Sequence, residues 1–525
     1  MVKYFFKRLF RGLLSVIAVV AIIMLLVYGL MDRTLIFNMD ENYAKFGNNT
    51  KIAYRYQKWD EYGYLTYVTY SSWLNSLLEA GEIDEDTYNA VATIGRTAEN
   101  DSEETAYYIQ QFYDYYDSQG YTVVRLDAKM TTATKVANGG AARYFAYKNK
   151  SLVSRVVTYF TSLLSFDDIH YVDEDVDIGE RGLTFTLYDP AYGGEKFSPA
   201  ILGNGTQHKY LLYFSSEFPY IHQNFVTLTL GESYSVNTGV DVFKTMVQKQ
   251  GSYVTSTVYY PTGYVEESAD DVHTATYVEG SLALSALYQE RYTDDYTNVE
   301  LSKSAMSKMA YSFICGIFAS LLAYAIGLPL GVLMARKKDT WVDSLGNAYI
   351  VFMIAVPSLA YIFMFKAISG AMGLPTTFTI NNISAIMFVA PILSMAIGSI
   401  AGRMKWMRRY MVDQLNSDYV KFARACGTSE SDIYIKHIFK NAAIPITHGI
   451  PATILGALSG SIITERVYSI PGVGGMLVQA ITYYDNSVIV GVALFYGIIS
   501  IIAAILGDIL MAVMDPRINY TTKAR

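Results

Sequence analysis

The side chains best suited to a specific function are concentrated in residues 418–445, DYVKFARACGTSESDIYIKHIFKNAAIP. A segment with these cations and a central glycine could have one of three functions: it could bind DNA as a helix-turn-helix, lie on anionic lipid, or dock a partner protein. Gly427 stands where a helix ends in a left-handed residue, and Ser429 with Asp432 matches a capping box for a second helix. The pattern predicts a helix, a tight turn and a second helix that Pro445 ends.

Motifs for covalent, nucleotide or metal chemistry are missing from the sequence. There is no G-x-x-x-x-G-K-[ST], and the glycine cluster at 472–475 lacks the strand-to-helix context of a phosphate loop. Cys426 is interpreted as a small packing residue rather than a reactive thiol. Four histidines lie at no metal-ligand spacing and are interpreted as structural: His170, His208, His222 and His273. We therefore expect no catalytic residue, no metal site and no enzyme.

Long apolar runs are the elements that must position this segment. The first covers residues 12–30, which is long enough to cross a bilayer and too long for a cleaved signal peptide. Five more lie at 309–335, 347–366, 383–401, 447–464 and 487–513. Prolines inside these runs are tolerated where neighbouring helices satisfy the freed backbone groups; they are Pro329, Pro357, Pro391 and Pro451. The sequence predicts six membrane-spanning helices.

The charge distribution orients these helices. Residues 32–300 have a net charge of −19 and the remaining residues +12, which together give the −7 of the chain. Basic residues follow the second and fourth predicted spans, so the positive-inside rule places both termini in the cytoplasm and residues 32–300 outside the cell. Neither Cys315 nor Cys426 lies in this acidic block, so it folds without disulfides, which favours a bacterial host that does not depend on them.

Residues 32–300 are too long for a loop and must form a domain. Residues 102–120 have helical character and end at Gly120, whereas 181–189, 208–216 and 252–261 alternate like strands. We expect three parts: an N-terminal transmembrane helix (1–31), an extracellular α+β domain (32–300) and a five-helix core (301–525) with a cytoplasmic loop at 402–446. Small residues in the fifth span suit either close helix packing or a transport path.

The 418–445 segment then lies between two spans on the cytoplasmic side. DNA docking is awkward for a helix pair whose two ends are both fixed to membrane helices. A loop that only contacts anionic lipid would not need a defined turn. Docking of a cytoplasmic partner therefore explains the pattern best.

Three ordered stretches of the chain resemble one known family, the permease subunits of bacterial oligopeptide ABC importers. These are the Opp/Dpp group, and the likeness is closest to the Ami-type permeases of Gram-positive bacteria. The 418–445 stretch resembles the EAA-type loop of that family, with Lys421, Cys426 and Thr428 as departures and Phe422 at an alanine position. ERVYSIPGVGGMLVQAI (465–481) and GDILMAVMDPRI (507–518) resemble its external segment and its closing signature.

The resemblance implies roles for particular residues. The loop that couples to ATPases would comprise Asp418, Ala423, Arg424, Ala425, Gly427, Ser429, Glu430, His437, Asn441 and Pro445. The external gate would comprise Glu465, Pro471, Gly472 and Gly474, and the C-terminal signature Asp508, Asp515, Pro516 and Arg517. The fold implied is that of a type-1 ABC importer permease: an α-helical polytopic membrane protein with an α+β domain inserted between helices 1 and 2.

The resemblance also implies partners. The chain would pair with a homologous second permease, two cytoplasmic ATPases and an external lipoprotein that delivers the peptide. It would bind no cofactor itself, since ATP and magnesium are used by the ATPases, and no nucleic acid. Two alternatives stay open: a permease of the same architecture for another solute such as nickel, and a membrane receptor that senses a ligand without transporting it.

Overall fold

The computed structural model describes residues 2–168 and 182–515. Its helices are α1 (Val2–Leu30), α2 (Glu41–Lys45), α3 (Asn48–Glu61), α4 (Tyr70–Glu79), α5 (Glu85–Val91), α6 (Glu103–Ser118), α7 (Leu152–Thr161), α8 (Val242–Val247), α9 (Ser281–Leu284), α10 (Ala286–Arg291), α11 (Lys308–Arg336), α12 (Trp341–Ala355), α13 (Ser358–Ala371), α14 (Val389–Leu415), α15 (Asp418–Ala425), α16 (Glu430–Asp432), α17 (Lys440–His448), α18 (Ile450–Gly456), α19 (Ile462–Tyr468), α20 (Val473–Thr482) and α21 (Asn486–Met514). A π-helical segment, Ile433–Phe439, joins α16 to α17.

The strands are short and pair antiparallel. They are β1 (Leu65–Thr69), β2 (Thr122–Leu126), β3 (Arg143–Asn149), β4 (Leu164–Phe166), β5 (Gly182–Tyr188), β6 (Phe197–Asn204), β7 (Tyr210–Phe214), β8 (Ile221–Gln223), β9 (Val226–Leu228), β10 (Gln250–Tyr253), β11 (Ser256–Tyr259), β12 (Val265–Ser268), β13 (Asp270–Thr276), β14 (Asn298–Leu301) and β15 (Lys303–Ala305). In the described residues, two larger sheets have the orders β1-β3-β2 and β5-β6-β7-β8, and the other strands form the separate pairs β4-β9, β10-β15, β11-β12 and β13-β14.

Compactness divides the chain into one unit of residues 21–162 and another of residues 1–20 with 163–525. These boundaries differ from the domain boundaries predicted from the sequence, because the predicted ones follow membrane topology rather than compactness. The predicted domain boundaries stay predictions. His170 lies outside the described residues.

The unit of residues 21–162 is built around aromatic side chains. Strands β1, β3 and β2 carry helices whose inward faces bury Trp73, Leu74 and Phe112 with Ala146 of β3. The predicted helix at 102–120 is confirmed as α6, which Ser102 caps by accepting a hydrogen bond from Thr105 N. Gly120, just beyond it, has the positive φ of 76° that favours glycine.

The strands of the other unit confirm two sequence predictions and divide a third. The stretches 181–189 and 208–216 contain β5 and β7, whereas 252–261 contains parts of two strands, β10 and β11. His273 of β13 is buried between two acids: its Nε2 lies 2.9 Å from Asp189 Oδ2, and its Nδ1 lies 3.2 Å from Asp271 Oδ1. The interpretation of His273 as structural agrees with this enclosed position.

The ionisation of His273 gives a testable dependence of stability on pH. Burial alone would lower the pKa of His273, but hydrogen bonds to Asp189 and Asp271 and their charges outweigh burial and raise it to about 9. A raised folded-state pKa contributes stability that is complete below the unfolded value near 6.5 and is lost as pH rises towards 9. We expect the thermal unfolding midpoint of this unit to fall across that window, with a loss on the order of 3 kcal/mol. His273→Gln should flatten the dependence, and an unchanged slope in that variant would contradict it.

The chain is a multi-pass membrane protein by the length and composition of its helices. Within the described residues, five helical stretches are long and apolar enough to cross a membrane: Tyr4–Leu30, Lys308–Arg336, Ala385–Leu415, Glu430–Tyr468 and Asn486–Met514. A sixth candidate is the pair α12 and α13, which is bent by 101°. The predicted span at 347–366 falls on this break. Val356 and Pro357 are extended there, because a residue before proline avoids the helical region.

Pro445 does not end a helix, contrary to the sequence prediction. It lies inside α17, which continues to His448. A proline removes only one backbone donor, and in a membrane helix the freed carbonyl can be satisfied by neighbouring groups.

Residues 228–250 are fixed to the starts of two long helices of the same unit. Asp485, the N-cap of α21, accepts hydrogen bonds from Ser233 Oγ (2.9 Å) and from the backbone N of Tyr234 and Ser235 (2.8 Å each). Lys308, at the start of α11, donates to Gln250 Oε1 at 2.8 Å. The N-terminal ends of α11 and α21 therefore face the strand-rich part of this unit.

Candidate coupling loop and candidate gate segment

The loop at 418–445 begins with the predicted helix and turn. Helix α15 ends where Gly427, at φ 77°, donates to Arg424 O (3.0 Å) and Thr428 N donates to Ala423 O (3.1 Å). Ser429 then caps α16 by accepting a hydrogen bond from Asp432 N at 3.2 Å. Both local predictions at this turn are confirmed.

One face of the loop is anchored in an apolar core. Val420 and Ala423 of α15 pack with Ile433 and Ile438 of the π-helical segment, and all four are buried. The same cluster includes Met407 and Met411 of α14. The loop is therefore rigidly attached to the long helix that precedes it.

The cations of the loop are largely paired with acids of the loop itself. Arg424 donates to Glu430 from Nε (2.7 Å) and Nη2 (3.3 Å), across the Gly427 turn. Lys421 contacts Asp418 at 2.9 Å, and Lys436 contacts Asp432 at 2.7 Å. All these pairs are solvent-exposed, so each adds little stability. The loop presents alternating charges to its surroundings rather than a uniformly basic face.

The loop exposes two apolar side chains to which the sequence analysis assigned no role. Phe422 is 71% exposed and Ile435 is 66% exposed. The signal available in the sequence was Phe422 itself, which stands where the resembled loop has alanine. Exposed aromatic and aliphatic side chains on a rigid helical element are typical of a protein contact. Cys426, interpreted as a packing residue, is exposed as well.

The other predicted loop residues lie on the same element without forming one cluster. Ala425 is exposed on α15, His437 is half-buried in the π-helical segment, and Asn441 is half-buried near the start of α17. A π-helical segment inside a helix frequently occurs at functional sites.

Glu465 is the centre of the second candidate site. We call residues 460–475 the gate segment. The Glu465 residue is 2% exposed. Its Oε1 accepts hydrogen bonds from Ser312 Oγ (2.8 Å) and Ser461 N (3.0 Å), and its Oε2 accepts one from Gly475 N (2.8 Å). Ser312 Oγ also accepts from Val473 N at 2.9 Å, so this hydroxyl ties α11 to both halves of the segment. A buried carboxylate is tolerable only with such compensation.

The glycines of the gate segment allow this close approach. A Cβ on Gly472 would lie 2.4 Å from Glu465 Oε2, and one on Gly474 would lie 2.9 Å from Ile462 N. Gly460 has a positive φ of 72°, and its Cβ would lie 2.0 Å from Glu465 Oε1. The structure therefore brings the predicted residues Glu465, Gly472 and Gly474 together. It adds Ser312 and Gly460, which sequence reasoning missed.

The gate segment contributes lining residues to two cavities. One, of about 360 Å³, is lined largely by small and hydroxyl side chains, including Ser320, Ser394, Ser461 and Thr464. The other, of about 400 Å³, is lined by Lys308, Glu465, Arg466, Pro471, Gly472 and polar neighbours. Ser469, between α19 and α20, has a φ of 56°, which is uncommon for a residue with a side chain. Backbone strain of this kind is concentrated at functional sites.

Asp508 of the predicted C-terminal signature is a buried junction of three helices. Arg8 of α1 forms an ion pair with its Oδ2, and Tyr4 OH donates to the same oxygen at 3.2 Å. His448, at the end of α17, places Nδ1 3.9 Å from Oδ1. Asp515 is the C-cap of α21, whereas Pro516 and Arg517 lie outside the described residues.

Known proteins are similar to this chain over its whole length. The oligopeptide transport system permease protein AmiC of Streptococcus pneumoniae is 34% identical over 531 residues, covering 100% of this chain and 99% of the relative. The chain belongs to the oligopeptide transport permease family. Residues 327–520 of this permease match the family described as "Binding-protein-dependent transport system inner membrane component".

Shorter relatives and solved structures align with less of the permease. The dipeptide transport system permease protein DppB of Bacillus subtilis is 32% identical over 215 residues, covering 40% of this chain and 68% of the relative. The structure of the inward-facing MetNI methionine ABC transporter is 14% identical, with a TM-score of 0.33, and covers 40% of this chain and 94% of that chain.

Proposed function

We propose that this permease forms, with a homologous second permease, the membrane path through which an ATP-driven importer takes up oligopeptides. Full-length similarity to an oligopeptide transport system permease supports this function more than any other observation. Two cytoplasmic ATPases, which use ATP and magnesium, and an external peptide-binding lipoprotein complete the assembly. The permease itself supplies no nucleotide site and binds no cofactor.

Loop 418–445 is the element that we assign to the ATPases. It is short, rigidly packed on α14 and exposed through Phe422, Ile435 and the Arg424–Glu430 pair. A rigid helical element can transmit rigid-body motion from one subunit to another. Its charged residues would set the orientation of docking, and its apolar residues would provide affinity.

The gate segment is the element that we assign to the external end of the path. It lines two cavities and is fixed to α11 through Ser312 and Glu465. We further propose six spans, with α12 and α13 acting as one, both termini in the cytoplasm, and residues 32–300 outside a Gram-positive plasma membrane. Contacts of residues 228–250 with the starts of α11 and α21 support this orientation.

The test of the function is uptake of a labelled oligopeptide by cells in which the gene is deleted and then restored. Deletion should abolish uptake in cells without another peptide permease, and restoration should recover it. A nickel uptake assay in the same cells is the control for a permease of another solute. Undiminished peptide uptake after deletion would contradict the proposal.

The two cysteines provide a direct test of the orientation. Cys426 is exposed in the candidate coupling loop, whereas Cys315 is buried in α11. A membrane-impermeant maleimide should label Cys426 only after the cells are permeabilised, and Cys426→Ser should remove the label. Labelling of Cys426 in intact cells would place the loop outside and overturn both the orientation and the coupling role.

A further inference from the structure

A cationic cavity lies beside the gate segment. It has a volume of about 400 Å³, and its lining includes Lys308 at the start of α11 and Arg466 of α19. Its other polar lining is neutral apart from Glu465: the amides of Gln250 and Gln479 and the hydroxyls of neighbouring residues. Two cations therefore face a space in which there is one carboxylate.

The carboxylate of Glu465 is hydrogen-bonded to groups of the gate segment and of α11. Both oxygens of Glu465 accept hydrogen bonds from Ser312, Ser461 and Gly475, on the side of the gate segment. Among residues 2–168 and 182–515, no carboxylate oxygen lies within 4.0 Å of the charged nitrogens of Lys308 or Arg466, although the charge of Glu465 acts on Lys308 at longer range. The lining of the cavity therefore has a net formal charge of +1, from two cations and one carboxylate.

The ammonium group of Lys308 has hydrogen-bond donors that the described part of the protein does not use. Its Nζ donates one hydrogen bond, to Gln250 Oε1 at 2.8 Å, and an ammonium group has three donors. Gln250 is fixed in turn, because its Nε2 donates to Pro471 O at 3.1 Å. Arg466 is exposed to the cavity and offers the planar guanidinium that pairs well with a carboxylate.

We propose that this cavity binds the free C-terminal carboxylate of the peptide before the gate segment opens. The inference rests on the proposed function, because it assigns the ligand to the peptide path. Lys308 and Arg466 bind the carboxylate, and the amides of Gln250 and Gln479 can bond to main-chain groups irrespective of sequence. The position of the cavity favours substrate over a docked protein, since the gate segment lines both this cavity and the hydroxyl-lined cavity.

The experiment compares uptake of one labelled oligopeptide with uptake of its C-terminal amide by the complete assembly in proteoliposomes. Since a charge-assisted hydrogen bond contributes roughly 1.5–3 kcal/mol, the wild type should prefer the free acid by about tenfold or more. In Arg466→Gln and in Lys308→Gln this ratio should fall towards one, through slower uptake of the acid alone. Any selection by the binding protein is common to all variants and cancels when their ratios are compared.

Lys303→Gln is the matched control, because Lys303 lies in β15 outside the cavity lining. It should keep the wild-type ratio. An unchanged ratio in Arg466→Gln and Lys308→Gln would overturn the inference while leaving the proposed function intact. Equal loss for both peptides, with weaker stimulation of ATP hydrolysis by the binding protein, would assign the cavity to an acidic group of that protein and overturn it too. No uptake of either peptide by the wild type would overturn the proposed function itself.

Discussion

Gly472→Ala is expected to abolish most peptide uptake while the protein still assembles in the membrane. The added Cβ would lie 2.4 Å from Glu465 Oε2 and 2.6 Å from Ser312 Oγ, both far inside van der Waals contact. The clash can be relieved only by displacing the side chains that bond to each other at 2.8 Å. Losing a buried hydrogen bond to a carboxylate costs about 1.5–3 kcal/mol, or roughly tenfold or more in the population of the arrangement in which Ser312 and Glu465 are hydrogen-bonded. Uptake and surface abundance, measured in the same cells, test this.

Another alanine substitution is the matched control for the loss of a glycine. A Cβ on Gly402 would meet no atom within 4 Å outside its own helix. Gly402→Ala should therefore retain near wild-type uptake. Wild-type uptake by Gly472→Ala would remove the gate role from this segment, and a loss shared by both variants would indicate a general intolerance of added volume.

Glu465→Gln should reproduce the defect for a different reason. Backbone N–H groups donate to both carboxylate oxygens, Ser461 N to Oε1 and Gly475 N to Oε2. Whichever end of the amide carries its NH₂ group, that group faces a donor, and one buried N–H stays unsatisfied. A variant without any change in volume thus tests the same cluster as Gly472→Ala.

The sequence predicts the local features of both sites and not their non-local partners. The turn at Gly427 and the cap at Ser429 depend on neighbours within six residues, so glycine and serine at those positions are sufficient signals. Ser312 lies 153 residues from Glu465, and nothing in the pattern of α11 distinguishes this serine from others. The position of Glu465 was therefore predictable from resemblance, but its environment was not.

Two prolines show that the local sequence alone does not predict where a helix breaks. Pro357 lies at a bend of 101° between α12 and α13, whereas Pro445 lies within a continuous helix. Both stand in apolar sequence, and the local steric rules for proline are the same at each position. What differs is the packing around them: α17 belongs to the buried cluster that includes Ala442 and Ile446. Tertiary contacts thus decide between a break and a tolerated proline.

Arg424→Glu is expected to uncouple ATP hydrolysis from uptake in the assembled transporter. In the wild type Arg424 donates twice to Glu430 across the Gly427 turn, so the substitution places two carboxylates against each other on the exposed surface of the loop. ATP hydrolysis and peptide uptake are measured together in proteoliposomes, and uptake per ATP should fall several-fold. Lys338→Glu, an exposed charge reversal outside the loop, is the control and should leave the ratio unchanged.

The exchange of both residues separates a docking role from a purely internal one. Arg424→Glu combined with Glu430→Arg restores an ion pair of opposite sign at the same two positions. If the pair only stabilised the turn, the double variant would recover coupling. If a partner reads the charges of the loop, the exchanged pair presents the wrong pattern and uptake per ATP stays low. We expect the second result, because an exposed pair of this kind adds little stability, whereas its two charges belong to the same loop as the exposed Phe422 and Ile435. Full recovery by the double variant would remove these charges from the docking surface.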